Sequence, residues 1–158
     1  MNRGKLVGGA IVGFALIFGI VVYYTQIYAY YEQVDAETVT IRLTPLGGQD
    51  APEPMLATNL QAIDGSSSPL RFRACFDTSE SLALLTESYV IHDAAVPLNA
   101  PGWFDCFDAA RIGADLRDGT ALAFLGEAEI ADGVDRIVAV YRDGRAFAWH
   151  QLNEKFAD

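Results

Sequence analysis

Residues 6–31, LVGGAIVGFALIFGIVVYYTQIYAYY, are 26 consecutive positions without a charge, set between Lys5 and Glu32. No other feature restricts the folding of this chain so severely. As a helix rising about 1.5 Å per residue the run reaches roughly 39 Å, more than the ~30 Å hydrocarbon thickness of a bilayer, so it is predicted to span with its last turn or two in the far headgroup zone. Tyr23, Tyr24, Tyr28, Tyr30 and Tyr31 fall in that zone, which suits a ring that is apolar and a hydroxyl that seeks water. A cleaved signal peptide shares the basic start and the apolar run, but its apolar region is usually about 7 to 15 residues and a small-x-small site follows it directly. The nearest such tripeptide here, Val34-Asp35-Ala36, is too distant. A retained anchor is therefore expected.

Arg3 and Lys5 precede the span, whereas Glu32, Asp35 and Glu37 follow it and the next base is Arg42. Basic residues mark the cytoplasmic side. Residues 1–5 are accordingly expected as a cytoplasmic tail, 6–31 as a transmembrane helix with an interfacial turn, 32–38 as a linker, and 39–158 as a domain outside the cytoplasm. No ionisable residue interrupts the span, which leaves nothing from which to build a proton or ion path. Gly4 and Gly8, and likewise Gly9 and Gly13, are spaced i, i+4. Small residues at that spacing let two helix backbones approach closely in lipid, so these four are candidate helix–helix contacts, although glycine is also simply common in membrane helices.

Beyond the span the chain carries all 21 acids and nine of the 11 bases, a net charge near −12. Such a field repels nucleic acid and anionic lipid heads, and a nucleic-acid partner is not expected. Lysine occurs there only as Lys155 while arginine is frequent. That bias suits a GC-rich bacterial genome, in which case the outside is the periplasm and the membrane is the bacterial inner membrane.

The remaining length suits one compact domain. Residues 39–43 alternate and are β-branched, predicting a strand before the Pro/Gly-rich loop TPLGGQDAPEP at 44–54; residues 55–64 predict a second. In residues 70–76 Leu70, Phe72, Ala74 and Phe76 share one face and Arg71, Arg73 and Cys75 the other. Asp77 with Glu80 predicts the start of one short helix, and Asp105 with Asp108 the start of another that Gly119 stops. Residues 120–125 predict a buried strand and GEAEIADGVD an acidic connector. Around Asp143-Gly144 the run DRIVAVYRDGRAFAWHQL predicts a hairpin with a two-residue turn, pairing Val140 with Phe147 and Val138 with Trp149. The expected class is α+β, a mainly antiparallel sheet with two short helices on one face.

Cys75 and Cys106 are the only cysteines, 31 positions apart, each followed by Phe-Asp. No CxxC, CxxCH or HExxH accompanies them or His92 and His150, so neither a metal site nor a redox motif is predicted. In an oxidising compartment the pair reads first as a structural disulfide, ahead of two free buried thiols or a reactive pair. No G-x-S-x-G turn lifts a serine toward either histidine. Glu127, Glu129, Asp132 and Asp135 do not have EF-hand spacing, and a solvated loop is the simpler reading. Arg71 and Arg73 could together clamp a small anion, though pairing with the abundant acids competes. No catalytic residue, metal or cofactor is expected.

The runs AIDGSSSPLRFRACFDT, APGWFDCFDA, ALAFLGEAEI and DRIVAVYRDGRAFAWHQ, after the apolar helix, resemble an uncharacterised family of small alphaproteobacterial proteins with a single membrane anchor. The resemblance implies compartment and architecture and brings no catalytic residues. The expected function is that of an interaction protein, an accessory or assembly subunit beside a larger inner-membrane complex, with respiratory complexes among the candidates. The alternative is a periplasmic domain that senses a small anion through Arg71 and Arg73.

Overall fold

A computed structural model describes residues 2–47 and 51–156. Residues 48–50 of the expected 44–54 loop, Met1 of the expected tail, and 157–158 of the domain lie outside the described residues. Helix α1 (Arg3–Tyr24) continues without a break into a π-helical turn, Thr25–Ala29. The combined helix is long and apolar enough to cross a membrane, and none of its apolar stretch is buried by protein.

The chain then forms strands β1 (Glu32–Val34), β2 (Arg42–Leu43), β3 (Glu53–Pro54), β4 (Thr58–Asp64) and β5 (Arg73–Asp77), helices α2 (Leu82–Ser88) and α3 (Ala109–Asp118), and strands β6 (Ala121–Ala131), β7 (Val134–Tyr141) and β8 (Arg145–Leu152). Six strands make one antiparallel sheet in the order β1-β4-β5-β8-β7-β6, and β2 and β3 form a separate pair. The 32–38 stretch, expected as a linker, instead carries β1 and a 3-10 turn capped by the Asp35 carboxylate. Three residues are too few to show a period of two, and β1 owes its form to its partner: Glu32, Gln33 and Val34 pair with Asp64, Ile63 and Ala62.

Both faces of the sheet are buried. A row of small and β-branched side chains, Ala62, Ala74, Ala148 and Val138 in register, crosses one face and packs with Ile41, Leu43, Phe72 and Leu85. The other face carries Ile63, Cys75, Trp149, Ile137 and Ala139, packed with Phe104, Phe107 and Ile112. The α+β class is as expected, but the helices do not share a face. Leu85 of α2 joins the first layer and Ile112 of α3 the second. Strand β7 shows why: it is buried at nearly every position, so covering one side alone would leave apolar side chains bare on the other. Hydrogen bonds set the helix limits. Ser81, not Asp77, caps α2 by accepting from the Leu84 amide at 3.2 Å, and Asp108 caps α3 by accepting from the Arg111 amide at 3.0 Å. Glu80 accepts instead from the Leu56 amide at 3.0 Å. The Tyr141 hydroxyl donates to Asp115 at 2.7 Å and ties α3 to the sheet.

The expected acidic connector is mostly strand. Strand β6 runs through it with two register shifts, and Ala131 pairs with Val134 across an Asp132-Gly133 turn. The terminal hairpin differs from expectation by one residue: Val140 pairs with Ala146 and Val138 with Ala148, while Phe147 lies opposite Ala139 and Trp149 opposite Ile137. Three residues, not two, make the turn, and Gly144 takes φ +91°. The single-residue shift moves Phe147 and Trp149 to the face of α3 and leaves Ala146 and Ala148 beneath the opposite layer. Gly144 is also held close: its carbonyl accepts from the Thr78 amide at 2.8 Å, and a Cβ on it would sit 2.7 Å from the Thr78 carbonyl oxygen. Gly144→Ala is therefore expected to cost about 1 to 3 kcal/mol, measured as a lower denaturant midpoint of the detergent-solubilised chain; an unchanged midpoint would contradict both the φ and the contact.

Candidate functional site

The irregular chain between α2 and α3 covers the α3 side of the sheet, and its backbone groups find few partners of their own kind. Side chains from the sheet supply them. The Gln151 amide donates to the Ala94 carbonyl at 3.0 Å and accepts from the Val96 amide at 2.8 Å and from the Trp149 indole at 3.1 Å. Arg73, only 3% exposed, gives its guanidinium to four carbonyls: Leu98 at 2.7 Å, Leu70 at 2.7 Å, Phe72 at 2.6 Å and Asn99 at 3.1 Å. Burial lowers its pKa to about 10, which still leaves the cation intact at neutral pH. The third fastening is a Cys75–Cys106 disulfide, with Cα atoms 6.3 Å apart. Among the described residues no cysteine is free. Denatured, unreduced protein should therefore show no thiol to alkylation and two after reduction, and Cys106→Ser should lower stability by about 2 to 5 kcal/mol. A free thiol in the native chain would break the link.

The fourth fastening reaches the apolar helix. The Trp103 indole donates to the Ile27 carbonyl at 2.8 Å, in the π-helical turn where backbone carbonyls lose their helical partners. The same indole meets Tyr31 edge to face, with centroids 6.4 Å apart. From the other side Arg71 lays its guanidinium over Tyr30 and Tyr31, with Cζ 5.2 and 4.9 Å from the ring centroids. Gly65 permits this approach, because a Cβ there would collide with the Tyr30 carbonyl oxygen and sit 2.5 Å from Arg71 Cδ. Helix and domain thus meet at a built joint of Ile27, Tyr30, Tyr31, Gly65, Arg71 and Trp103.

The joint separates the two arginines that the sequence brackets together. Arg73 lies inside the sheet face with its donors engaged by carbonyls, whereas Arg71 belongs to a 3-10 turn, Pro69–Arg71, and stacks on the end of the helix. They do not form one clamp. Sequence reasoning missed Trp103, whose signal is an indole N–H donor set in NAPGWFD just after a Pro-Gly turn, available to a stranded carbonyl. Gly4, Gly8, Gly9 and Gly13 face open space, with no atom within 4 Å of where a Cβ would stand.

The acids of the expected connector are occupied. Glu127 bridges Arg42 at 3.2 Å and Arg136 at 3.0 Å, Asp135 accepts from the Glu129 amide at 2.9 Å, and Lys155 pairs with Asp132. Among the described residues no cluster of three or more His, Cys, Asp or Glu is placed to hold a metal. An open cleft of about 480 Å³ lies between α3, residues 91–97 and the start of β6, and is lined by Val96, Leu116 and Leu122 together with His92, Asp93 and Arg117.

His150 is buried beside Arg136. The Arg136 Nε–H donates to His150 Nε2 at 3.1 Å, which leaves Nδ1–H to donate to the Pro69 carbonyl at 2.6 Å. The ring also stacks on Phe72 at 4.7 Å. Burial first, then repulsion from Arg136 and Arg73, pushes the His150 pKa down to about 3 against the opposing hydrogen bond to Pro69. The folded ring is therefore neutral where the unfolded one, titrating near 6.5, begins to charge, so its contribution is complete above about pH 6.5 and is lost as pH falls toward 3. Between pH 6.5 and 5 the stability of the chain should fall with a slope approaching about 1.4 kcal/mol per pH unit more than that of His150→Gln, read from denaturant titrations; equal slopes would remove His150 as the source.

An α+β domain fastened at a built joint to one long apolar helix is the class of protein defined here. The model of a family of unknown function, DUF6446, matches residues 41–158, and the chain belongs to that family. The match covers the domain and stops short of the helix and β1. No curated protein and no solved structure matches the chain.

Proposed function

We propose that this chain is a non-enzymatic interaction protein, anchored in a bacterial inner membrane with its N-terminus in the cytoplasm and its domain in the periplasm, and serving as an accessory or assembly subunit of a larger inner-membrane complex such as a respiratory one. The observation that carries the reading is the joint. Trp103, Arg71 and β1 fix the domain to the helix with no flexible stretch between them, so a partner that grips the helix in lipid also receives the domain in one orientation. Positive charge before the span and acids after it support the direction. The disulfide supports an oxidising compartment. The open faces of Gly4, Gly8, Gly9 and Gly13 support a partner helix. With the Arg73 donors engaged by carbonyls, the two-arginine anion clamp has less to recommend it.

The decisive measurement is purification in mild detergent with mass spectrometry of what accompanies the chain. A stoichiometric membrane partner is expected. Replacing Gly9 and Gly13 together with Leu should reduce its recovery while leaving insertion intact, since leucine only makes the span more apolar; undiminished recovery would return those glycines to background composition. A reporter active only outside the cytoplasm should work when fused after Asp158, and activity of a cytoplasm-only reporter there would reverse the orientation.

A further inference from the structure

Three cations of this domain, Arg71, Arg117 and Arg142, have neither an ion pair nor a side-chain hydrogen bond among the described residues, and of these Arg71 alone has a buried guanidinium nitrogen without a partner. In a domain with a large excess of acid, Arg42, Arg111, Arg136, Arg145 and Lys155 each have a carboxylate within ion-pair distance, and Arg73 is taken up by carbonyls. Among the described residues Arg71 has no carboxylate and no side-chain hydrogen bond, and its Nη1 is buried with no partner at all. A buried guanidinium N–H left unpaired is costly; Nη1 is covered by the stacked position, while Nε and Nη2 carry no hydrogen bond among the described residues and are the edge a ligand can reach. Its position is equally specific. The guanidinium lies across Tyr30 and Tyr31, the residues that end the apolar run, and Gly65 clears the space in which it lies. If the helix spans, that is the depth of the headgroups. The adjoining turn offers Ser66 and Ser67, both exposed.

We propose that Arg71, held on Tyr30 and Tyr31 next to Gly65, is a binding site for the phosphodiester group of a phospholipid headgroup. A guanidinium presents its donors as a planar fork that matches two phosphate oxygens, and stacking on the two rings orients that fork before the ligand arrives. The acid-rich domain disfavours a headgroup of net negative charge. A zwitterionic headgroup meets both conditions, since its phosphate would face Arg71 and its amine would face Glu32, Asp35 and Asp64, which line the same hollow as Gly65 and Ser66. The bound lipid then acts as a collar that sets how deeply the helix sits. This inference rests on the anchored topology proposed above.

The test is native mass spectrometry of the full chain released from maltoside micelles, with phosphatidylethanolamine as the added lipid. The wild type is expected to retain one phospholipid at activation energies that strip the detergent, and Arg71→Gln to lower the lipid-bound fraction about tenfold or more. Arg71→Lys keeps the charge, loses the fork and should fall between the two; it replaces Arg71→Gln if that variant does not recover the closed disulfide. A third measurement needs no variant: inorganic phosphate at a large excess should leave the lipid-bound wild type unchanged, and displacement would assign the site to a free anion and overturn the lipid. Carbonate extraction separates the two readings. Wild type lost from the membrane pellet would remove the anchor and this site with it, whereas a variant that stays in the pellet and holds lipid as firmly as wild type would overturn the site alone.

Discussion

A sheet that is apolar on both faces must be covered twice, and nearly everything else in this domain follows from how little regular structure is available to do it. Helices α2 and α3 supply 7 and 10 residues. The rest of the cover is irregular chain, and every N–H and C=O in it that leaves water needs a partner. Neighbouring backbone cannot supply enough of them. The sheet does so with side chains placed on its own strands: Gln151 and Arg73 take the backbone of residues 94–99, and Cys75 reaches Cys106. Polar residues inside a sheet face are a liability when unmatched. Here they are the means by which a loop becomes a lid on the core.

The buried charges obey the same logic. Arg136 sits between Glu127 and His150 and lies over Phe72, with Cζ 4.4 Å from the ring centroid. Removing water lowers its pKa, with Glu127 opposing that effect. A permanent cation next to His150 then makes a second proton there unfavourable, which fixes the imidazole as an acceptor on one side and a donor on the other. Through that donor the ring holds the Pro69 carbonyl, the start of the turn that delivers Arg71 to the helix. The interior network and the joint are thus consecutive parts of one path along the chain.

Much of this was legible in the residues. The apolar run, the strands expected over 55–64 and 70–76, the cap at Asp108 and the cysteine pair each carry a local signal of composition, period or spacing, and those signals agree with the observed elements except that the strands begin later, at Thr58 and Arg73. What was not legible depended on partners far away in sequence. Strand β1 has no pattern of its own and exists because β4 offers an edge. The Asp143-Gly144 dipeptide locally favours a two-residue turn, and the third residue of the observed turn goes with a distant contact, the Thr78 amide donating to the Gly144 carbonyl. Arg71 and Arg73 share a parity that reads as one face, yet Arg71 closes a 3-10 turn, Pro69–Arg71, and turns to the helix, while Arg73 opens β5 and stays in the sheet. Trp103 is the plainest case, because its role is defined by a carbonyl 76 positions earlier.

One consequence of the joint concerns search. A flexible tether as long as residues 32–38 would let a domain wander roughly 15 Å about its anchor and sample partners by diffusion. Strand β1 begins one residue after Tyr31, and β4 and Trp103 hold both ends of the passage. The domain therefore has almost no reach. Where the helix spans a bilayer, such a domain would present one silhouette at one height, and an encounter with it would reduce to lateral drift and rotation in two dimensions.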